Sequence, residues 1–178
     1  MIVTESESKV ICVDNVYMHA DAEEHFFRTF GMLEKIYGCT YLAFMLEDLE
    51  NKRRVNFISN KSWHNIFINE HYIDFCPLVE IGRNVDSIIL NWNSVANNTK
   101  SAREVVGVRG EHNIANGISF SGIIDYCGVK VKEMIGLGAD IKHHDFAKLI
   151  INNIHHVQAM LESLRARTIY QILREKIL

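Results

Sequence analysis

Proline and linker residues are scarce in this sequence of 178 residues, which has one proline, Pro77, and no stretch rich in glycine and serine. Linkers between domains are commonly built from such residues, so their scarcity predicts a single domain over residues 1–178. No run of about 18 apolar residues is present, which argues against a membrane-spanning helix. Residues 1–9 lack the basic start and apolar run of a signal peptide, and we therefore expect a cytoplasmic protein.

Patterns typical of metal binding and catalysis are also missing. The four cysteines form no CxxC pair, and the histidine pairs at 143–144 and 155–156 have no partner at HExxH spacing. The sequence contains no GxSxG, Walker or GxGxxG motif, so it offers no basis for an enzyme. The net charge of −3 disfavours a chain that coats nucleic acid. We predict a protein that is not an enzyme, has no metal or cofactor and does not itself bind nucleic acid.

Hydrophobic periodicity predicts helices that alternate with antiparallel strands. Apolar residues recur at helical spacing over residues 22–37 and in a long stretch from residue 144 onward. Further helices are expected within 62–82, broken near Pro77, and over 100–108. The predicted strands are 40–46, 54–59, 87–92, 118–124 and 129–137. The expected fold is mixed α/β (α+β), a three-layer α-β-α sandwich around a five-stranded antiparallel sheet, which is the plan of PAS and GAF sensor domains.

A set of aromatic and small residues lies at a distinctive spacing between positions 62 and 117. Its members are Trp63, Phe67, Cys76, Pro77, Trp92 and Gly117. Their order resembles the autoinducer-binding domain of LuxR-type quorum-sensing regulators. That family has the pattern Trp-x3-Tyr-x8-Asp-Pro, then a tryptophan on a strand, then a glycine before the next strand. The order of hairpins, helices and strands is similar over nearly the whole chain.

The resemblance implies a domain that encloses an N-acyl homoserine lactone. It assigns to Trp92 a hydrogen bond to the lactone carbonyl, to Trp63 a packing contact with the ligand, and to Gly117 close packing at the strand start. Phe67 stands where the family has a tyrosine hydroxyl that binds the acyl carbonyl. Cys76 stands where the family has a carboxylate that accepts from the ligand amide.

These two replacements remove two of the three polar contacts, at a cost of about 2–4 kcal/mol of binding free energy. We therefore expect a ligand with a less polar or differently shaped head group, and Tyr72 or Asp74 as substitutes for the missing polar groups. Strand alternation places Phe44 and Tyr41 on opposite faces and does not decide which face meets the ligand. The further pocket residues expected from the resemblance are Phe44, Phe57, Ser59 and Met134.

Three interpretations stay open at this point. The chain is a sensor domain cut from a transcription regulator, a stand-alone sensor that pairs with a full regulator, or an interaction module with a filled core, since each aromatic residue alone is also an ordinary core residue. LuxR-type regulators carry a helix-turn-helix domain after the sensor, and we expect none within residues 1–178. The resemblance implies a homodimer or a heterodimer with a related regulator, and we expect residues 164–173 at the contact.

Overall fold

The computed structural model describes residues 10–13, 20–126 and 128–174. Within these residues six strands form one antiparallel sheet: β1 (Val10–Val13), β2 (Tyr41–Asp48), β3 (Arg54–Ile58), β4 (Ile88–Asn91), β5 (Asn116–Tyr126) and β6 (Val129–Ala139). Their order across the sheet is β1-β3-β2-β6-β5-β4. All five predicted strands are confirmed. The edge strand β1, which pairs with β3, is an addition that the periodicity did not predict.

Helices cover both faces of the sheet, which confirms the predicted three-layer sandwich. The helices of the described residues are α1 (Ala20–Tyr37), α2 (Lys61–Asn69), α3 (Pro77–Asn84), α4 (Lys100–Glu111), α5 (Phe146–Asn152) and α6 (Ile154–Arg174). Helices α1, α5 and α6 pack on one face, and α2, α3 and α4 on the other. None of the described helices is long and apolar enough to cross a membrane.

Local sequence signals set the ends of several helices. The side chain of Asn60 accepts from the backbone N–H of Trp63 at 3.0 Å and begins α2, and Thr99 caps α4 in the same way. Pro77 occupies the first turn of α3, where its missing N–H leaves no bond unmade. Gly38 follows α1 with a φ of +70°, a conformation that glycine adopts without strain.

The long helix predicted from residue 144 onward is two helices in the structure. The side-chain amide of Asn153 donates to the backbone oxygen of Leu149 at 2.9 Å. The backbone N–H of Asn153 donates to the backbone oxygen of Ile150, three residues back, and not to that of Leu149. Asparagine competes in this way for backbone partners and interrupts the regular bonding of a helix. The prediction of one continuous helix is therefore wrong at Asn153, although the apolar stripe continues on both sides.

One core lies on each face of the sheet, and a different set of helices covers each of them. The main core lies under α1, α5 and α6, where Leu42, Phe44 and Leu46 of β2 are at most 1% exposed. The second core lies under α2, α3 and α4. Its buried residues are Trp63, Cys76, Trp92, Val105 and Ile114, and its partly buried residues are Tyr41, Phe67, Tyr72, Leu78, Val79 and Val108.

The apolar stripe that we expected at a dimer contact is used inside the domain. Leu164, Ile169 and Ile172 of α6 are at most 1% exposed and belong to the main core. These side chains are therefore unavailable for a dimer contact, whereas Tyr170 of the same segment is 62% exposed, and a contact within residues 164–173 stays a prediction.

Candidate functional site

The second core brings together the aromatic residues of the spaced sequence pattern. The ring of Trp63 lies 5.2 Å from that of Phe67 and 6.4 Å from that of Tyr72, between centroids. Trp92 reaches the same core from the short 3-10 turn that follows β4. Cys76 joins it from the residue before α3, with a free, buried thiol. Residues from four separate segments thus converge on one face of the sheet.

A floor of glycines under Trp92 lets its indole lie against the sheet. Gly138 of β6 lies opposite Gly117 of β5, and Gly136 lies opposite Ser119. A methyl group added to Gly117 would overlap the indole, and one added to Gly138 or Gly136 would lie 3.2 or 3.5 Å from it. The indole N–H donates to the hydroxyl of Ser119 at 2.7 Å. The donor that the resemblance assigns to a ligand carbonyl is therefore engaged by the sheet itself.

Arg109 is a buried charged residue that lies against Trp92, is counted here with the second core, and was missed by the sequence analysis. It lies on α4, is 5% exposed, and its guanidinium carbon sits 4.5 Å from the centre of the Trp92 ring. Within the described part of the chain it takes part in no ion pair, and its Nε has no hydrogen-bond partner. Ala102 and Val105 share its buried helix face at the i, i+3 and i+7 positions, and this spacing was the signal available in the sequence.

Electrostatics distinguish Arg109 from an ordinary surface arginine. Burial lowers the pKa of its guanidinium, while the nearby Cys76 and Tyr41 raise it. Arginine nevertheless stays charged in proteins, so the cation persists inside the second core. Burial likewise raises the pKa of the Tyr41 hydroxyl, and this effect is larger than the lowering by the nearby Arg109. The hydroxyl is therefore protonated and available as a donor. Tyr41 is therefore a second polar group of this core that was not predicted as a site residue.

Two predicted pocket residues lie on the opposite face of the sheet. Phe44 and Phe57 are register partners on β2 and β3, and both belong to the main core. The ring of Phe57 packs on that of Phe44 at a centroid distance of 6.3 Å and on that of Phe26 of α1 at 5.2 Å. The expectation that they line one pocket with Trp63 and Trp92 is wrong, because side chains on a strand alternate between faces.

The polar substitutes expected from the sequence also point elsewhere. The Tyr72 hydroxyl donates to Glu104 at 3.1 Å at the surface. Asp74 has a side chain that is 57% exposed and lies 3.5 Å from His71. Although the Tyr72 ring contributes to the second core, neither hydroxyl nor carboxylate enters it. In this conformation neither polar group is placed to contact a molecule held in the second core.

Ser59 and Met134 have structural contacts that account for their side chains. The hydroxyl of Ser59 accepts from the backbone N–H of Leu42 at 2.8 Å and closes the end of the β2–β3 hairpin. Met134 lies on the second-core face of β6, and its terminal methyl carbon is 2.5 Å from the position a methyl group on Gly82 would take. Met134 thus packs tightly beneath α3.

An open cleft of about 460 Å³ adjoins the second core on the side of α3 and β4. Pro77, next to Cys76, and Leu90, two residues before Trp92, are among its lining residues. Ile81, Val85 and Val95 give it an apolar wall. The cleft is open to solvent, and none of the aromatic residues of the second core lines it.

Comparisons with known proteins agree with the observed fold. The family model described as autoinducer binding domain matches residues 22–164. Escherichia coli SdiA is 11% identical with a TM-score of 0.53, and the match covers 83% of this chain and 63% of that one. A structure of SdiA in complex with octanoyl-rac-glycerol is 10% identical with a TM-score of 0.50, covering 83% and 62%. The comparison with curated proteins gives no match.

A third similar structure is CepR2 from Burkholderia cenocepacia, described as an N-acylhomoserine lactone dependent LuxR family transcription factor. It is 13% identical with a TM-score of 0.53, and the match covers 82% of this chain and 93% of that one. At such identities these likenesses show a shared fold. This chain spans less than two thirds of the length of the two SdiA chains.

Proposed function

Because the chain belongs to the autoinducer-binding domain family, whose members are signal-sensing regulators and not enzymes, we propose that it senses a small amphipathic molecule held in the second core. The ligand lies between the sheet and helices α2, α3 and α4. Its binding changes the packing of these helices and so passes the signal on to a regulator, either in the same protein or as a paired chain.

The observation that carries this proposal is the composition of the second core. Ligand sites in proteins are mostly apolar and contain a few polar groups that orient the ligand. The second core has this mixture, since Trp63, Phe67 and Trp92 share it with Tyr41, and the guanidinium of Arg109 lies over Trp92. A core that served stability alone would gain nothing from a buried cation without a carboxylate beside it.

The ligands named for two similar structures support an amphipathic class. CepR2 is described as dependent on an N-acylhomoserine lactone, and SdiA is described in complex with octanoyl-rac-glycerol. Both compounds join an apolar acyl chain to a polar head. Burial of six methylene groups contributes about 5 kcal/mol, so an acyl chain supplies binding energy even where head-group contacts differ.

Native mass spectrometry tests the proposal directly. The chain is produced in cells with and without added octanoyl homoserine lactone, octanoyl glycerol or octanoic acid, and the retained small molecules are extracted and identified. We expect one stoichiometric ligand that contains an acyl chain. Recovery of an empty, stable protein that retains none of these compounds would contradict the sensing function.

A double variant locates the ligand in the second core. Phe67→Tyr with Cys76→Asp restores a hydroxyl and a carboxylate there, and we expect affinity for octanoyl homoserine lactone to rise about tenfold or more. The control is Phe75→Tyr, at a residue that is 52% exposed, which should leave affinity unchanged. Equal effects of the double variant and the control would place the ligand elsewhere.

An interaction module with a filled core is the second candidate function. The observation that favours it is the tight packing of the second core, in which Trp63 and Trp92 are only 3% and 5% exposed. Such a domain would pair with a second copy or with a related regulator and would need no ligand. Sedimentation of the ligand-free chain, alone and mixed with a related regulator, distinguishes the two: a stable empty protein that dimerises supports the module.

A further inference from the structure

Arg109 is the one polar group of the second core whose surroundings leave it incomplete. It is 5% exposed, and among the described residues no carboxylate forms an ion pair with it. By contrast, the partly buried Arg165 bonds to Glu133 at 2.6 Å, and Arg54 bonds to Glu47 at 2.8 Å. A charge that is buried without a partner is strongly unfavourable, so the position of Arg109 calls for a counter-charge.

The contact with Trp92 satisfies Arg109 only in part. A cation over an indole ring is attracted by its negative face, and the separation of 4.5 Å lies within the range of this interaction. The guanidinium also has five N–H donors in one plane, which need acceptor atoms. Its Nε is buried and has no such partner in the described structure. The aromatic contact holds the guanidinium in place and leaves donors for another group.

The neighbours of Arg109 in the second core supply no negative charge. Cys76 offers a thiol, which is a weak acceptor. Burial raises the pKa of the Tyr41 hydroxyl, which therefore stays neutral and offers Arg109 no negative charge. The N–H of Trp92 already donates to Ser119. No aspartate or glutamate among the described residues forms an ion pair with Arg109. A counter-charge for Arg109 therefore has to come from outside these residues.

We propose that the signal molecule carries a carboxylate, and that Arg109, stacked on Trp92, binds this head group while the surrounding aromatic residues hold its acyl chain. The two carboxylate oxygens match the paired N–H donors of a guanidinium. Tyr41 is placed to donate a further hydrogen bond to the same head group. This inference rests on the proposed sensing function and adds to it the charge of the ligand.

Intrinsic fluorescence is a direct probe of this site, because Trp63 and Trp92 are the two tryptophans of the whole chain. The decisive ligands are N-octanoyl homoserine lactone and N-octanoyl homoserine, the same molecule with its ring opened to a carboxylate. Octanoic acid and octanoyl glycerol form a second pair. We expect each acid to bind about 10- to 100-fold more tightly than its neutral partner, as for a charge-assisted hydrogen bond.

Substitutions of Arg109 identify the group that makes this distinction. Arg109→Gln should weaken binding of both acids about 10- to 100-fold and change binding of the neutral compounds less than about threefold. Arg109→Lys keeps the charge without the paired donors and should give an intermediate loss. The control is Arg103→Gln on the exposed side of the same helix, which removes an equal charge and should leave both classes unaffected.

The outcomes distinguish failure of the carboxylate inference from failure of the sensing function. Binding of the lactone or the glyceride as tightly as the acids, with no selective effect of Arg109→Gln, would overturn the carboxylate inference and leave the sensing function standing. Failure of all four compounds to change the fluorescence, together with an empty protein in native mass spectrometry, would overturn both.

Discussion

The two cores lie on opposite faces of one sheet and differ in how completely their polar groups are satisfied. In the main core the buried carboxylate of Glu133 is matched by Arg165 at 2.6 Å. In the second core Arg109 has an aromatic contact and no carboxylate. Burial acts to lower the pKa of both arginines. The carboxylates beside Arg165 outweigh this effect and raise its pKa, whereas the pKa of Arg109 stays lowered. The difference agrees with the proposed function, in which the main core provides stability and the second core gives up stability for binding.

The largest expected contrast between the cores comes from removal of an aromatic ring. Phe57 is fully buried in the main core, so Phe57→Ala should lower the free energy of unfolding by about 3–5 kcal/mol. Phe67 is only partly buried in the second core, and Phe67→Ala should lower it by about 1 kcal/mol. Urea denaturation measures both. Equal losses would contradict the assignment of stability to the main core.

The buried ion pair of the main core gives the next largest effect. Glu133→Gln keeps the shape of the side chain and removes the counter-charge of Arg165, whose side chain is 11% exposed. Loss of one partner of a buried pair costs about 3–5 kcal/mol, and other side chains of α6 still contact Arg165, so we expect about 3 kcal/mol. Urea denaturation is again the measurement.

The exposed pair on α1 is the control for this substitution. Glu24 and Arg28 are i,i+4 neighbours whose side chains are 70% and 63% exposed. Glu24→Gln should change stability by less than about 0.5 kcal/mol, because solvent screens the pair. A large loss from Glu24→Gln, or a negligible one from Glu133→Gln, would contradict the importance of a satisfied pair in the main core.

The glycine floor of the second core is tested by Gly117→Ala. The added methyl group would overlap Trp92 and lie 2.5 Å from the backbone oxygen of Leu137, so we expect a loss of about 1–3 kcal/mol and a shift of the tryptophan fluorescence. Gly107→Ala on α4 is the matched control, since nothing lies within 4 Å of its added methyl group. It should stabilise the helix by about 0.5–1 kcal/mol. A neutral Gly117→Ala would show that Trp92 does not rest on this floor.

The architecture was predictable from the sequence because it depends on periodicity over many residues. Alternation along residues 40–46 and helical spacing along 22–37 each repeat one signal several times, and the structure confirms both elements. The four-residue strand β1 was missed because so short a segment carries little periodicity of its own and is defined by its pairing with β3. Asn153 was missed because one polar residue does not disturb an apolar stripe.

The contents of the site were less predictable because they depend on which face of the sheet each residue occupies. The spaced pattern correctly grouped Trp63, Phe67 and Trp92 in one core. It misplaced Phe44, since the face to which a strand residue points follows from the register and not from its position in a motif. Arg109 was overlooked because a charged residue on a helix is ordinarily exposed, and only the packing of α4 over Trp92 makes it buried.

The smallest expected effect is an increase in the free energy of unfolding, and it comes from a comparison of Arg109 with Arg165. Arg109→Met replaces a buried cation by an apolar side chain of similar length, and it should raise the free energy of unfolding of the ligand-free chain by about 1 kcal/mol. Arg165→Met should lower it, because Glu133 would remain buried without its partner. Thermal and urea denaturation of both variants measure the difference. If Arg109→Met destabilises the chain as much as Arg165→Met does, Arg109 is a structural residue and the second core needs no ligand to complete it. If it stabilises the empty chain and also abolishes binding of an acyl carboxylate, the stability given up by the second core is the cost of recognising that head group.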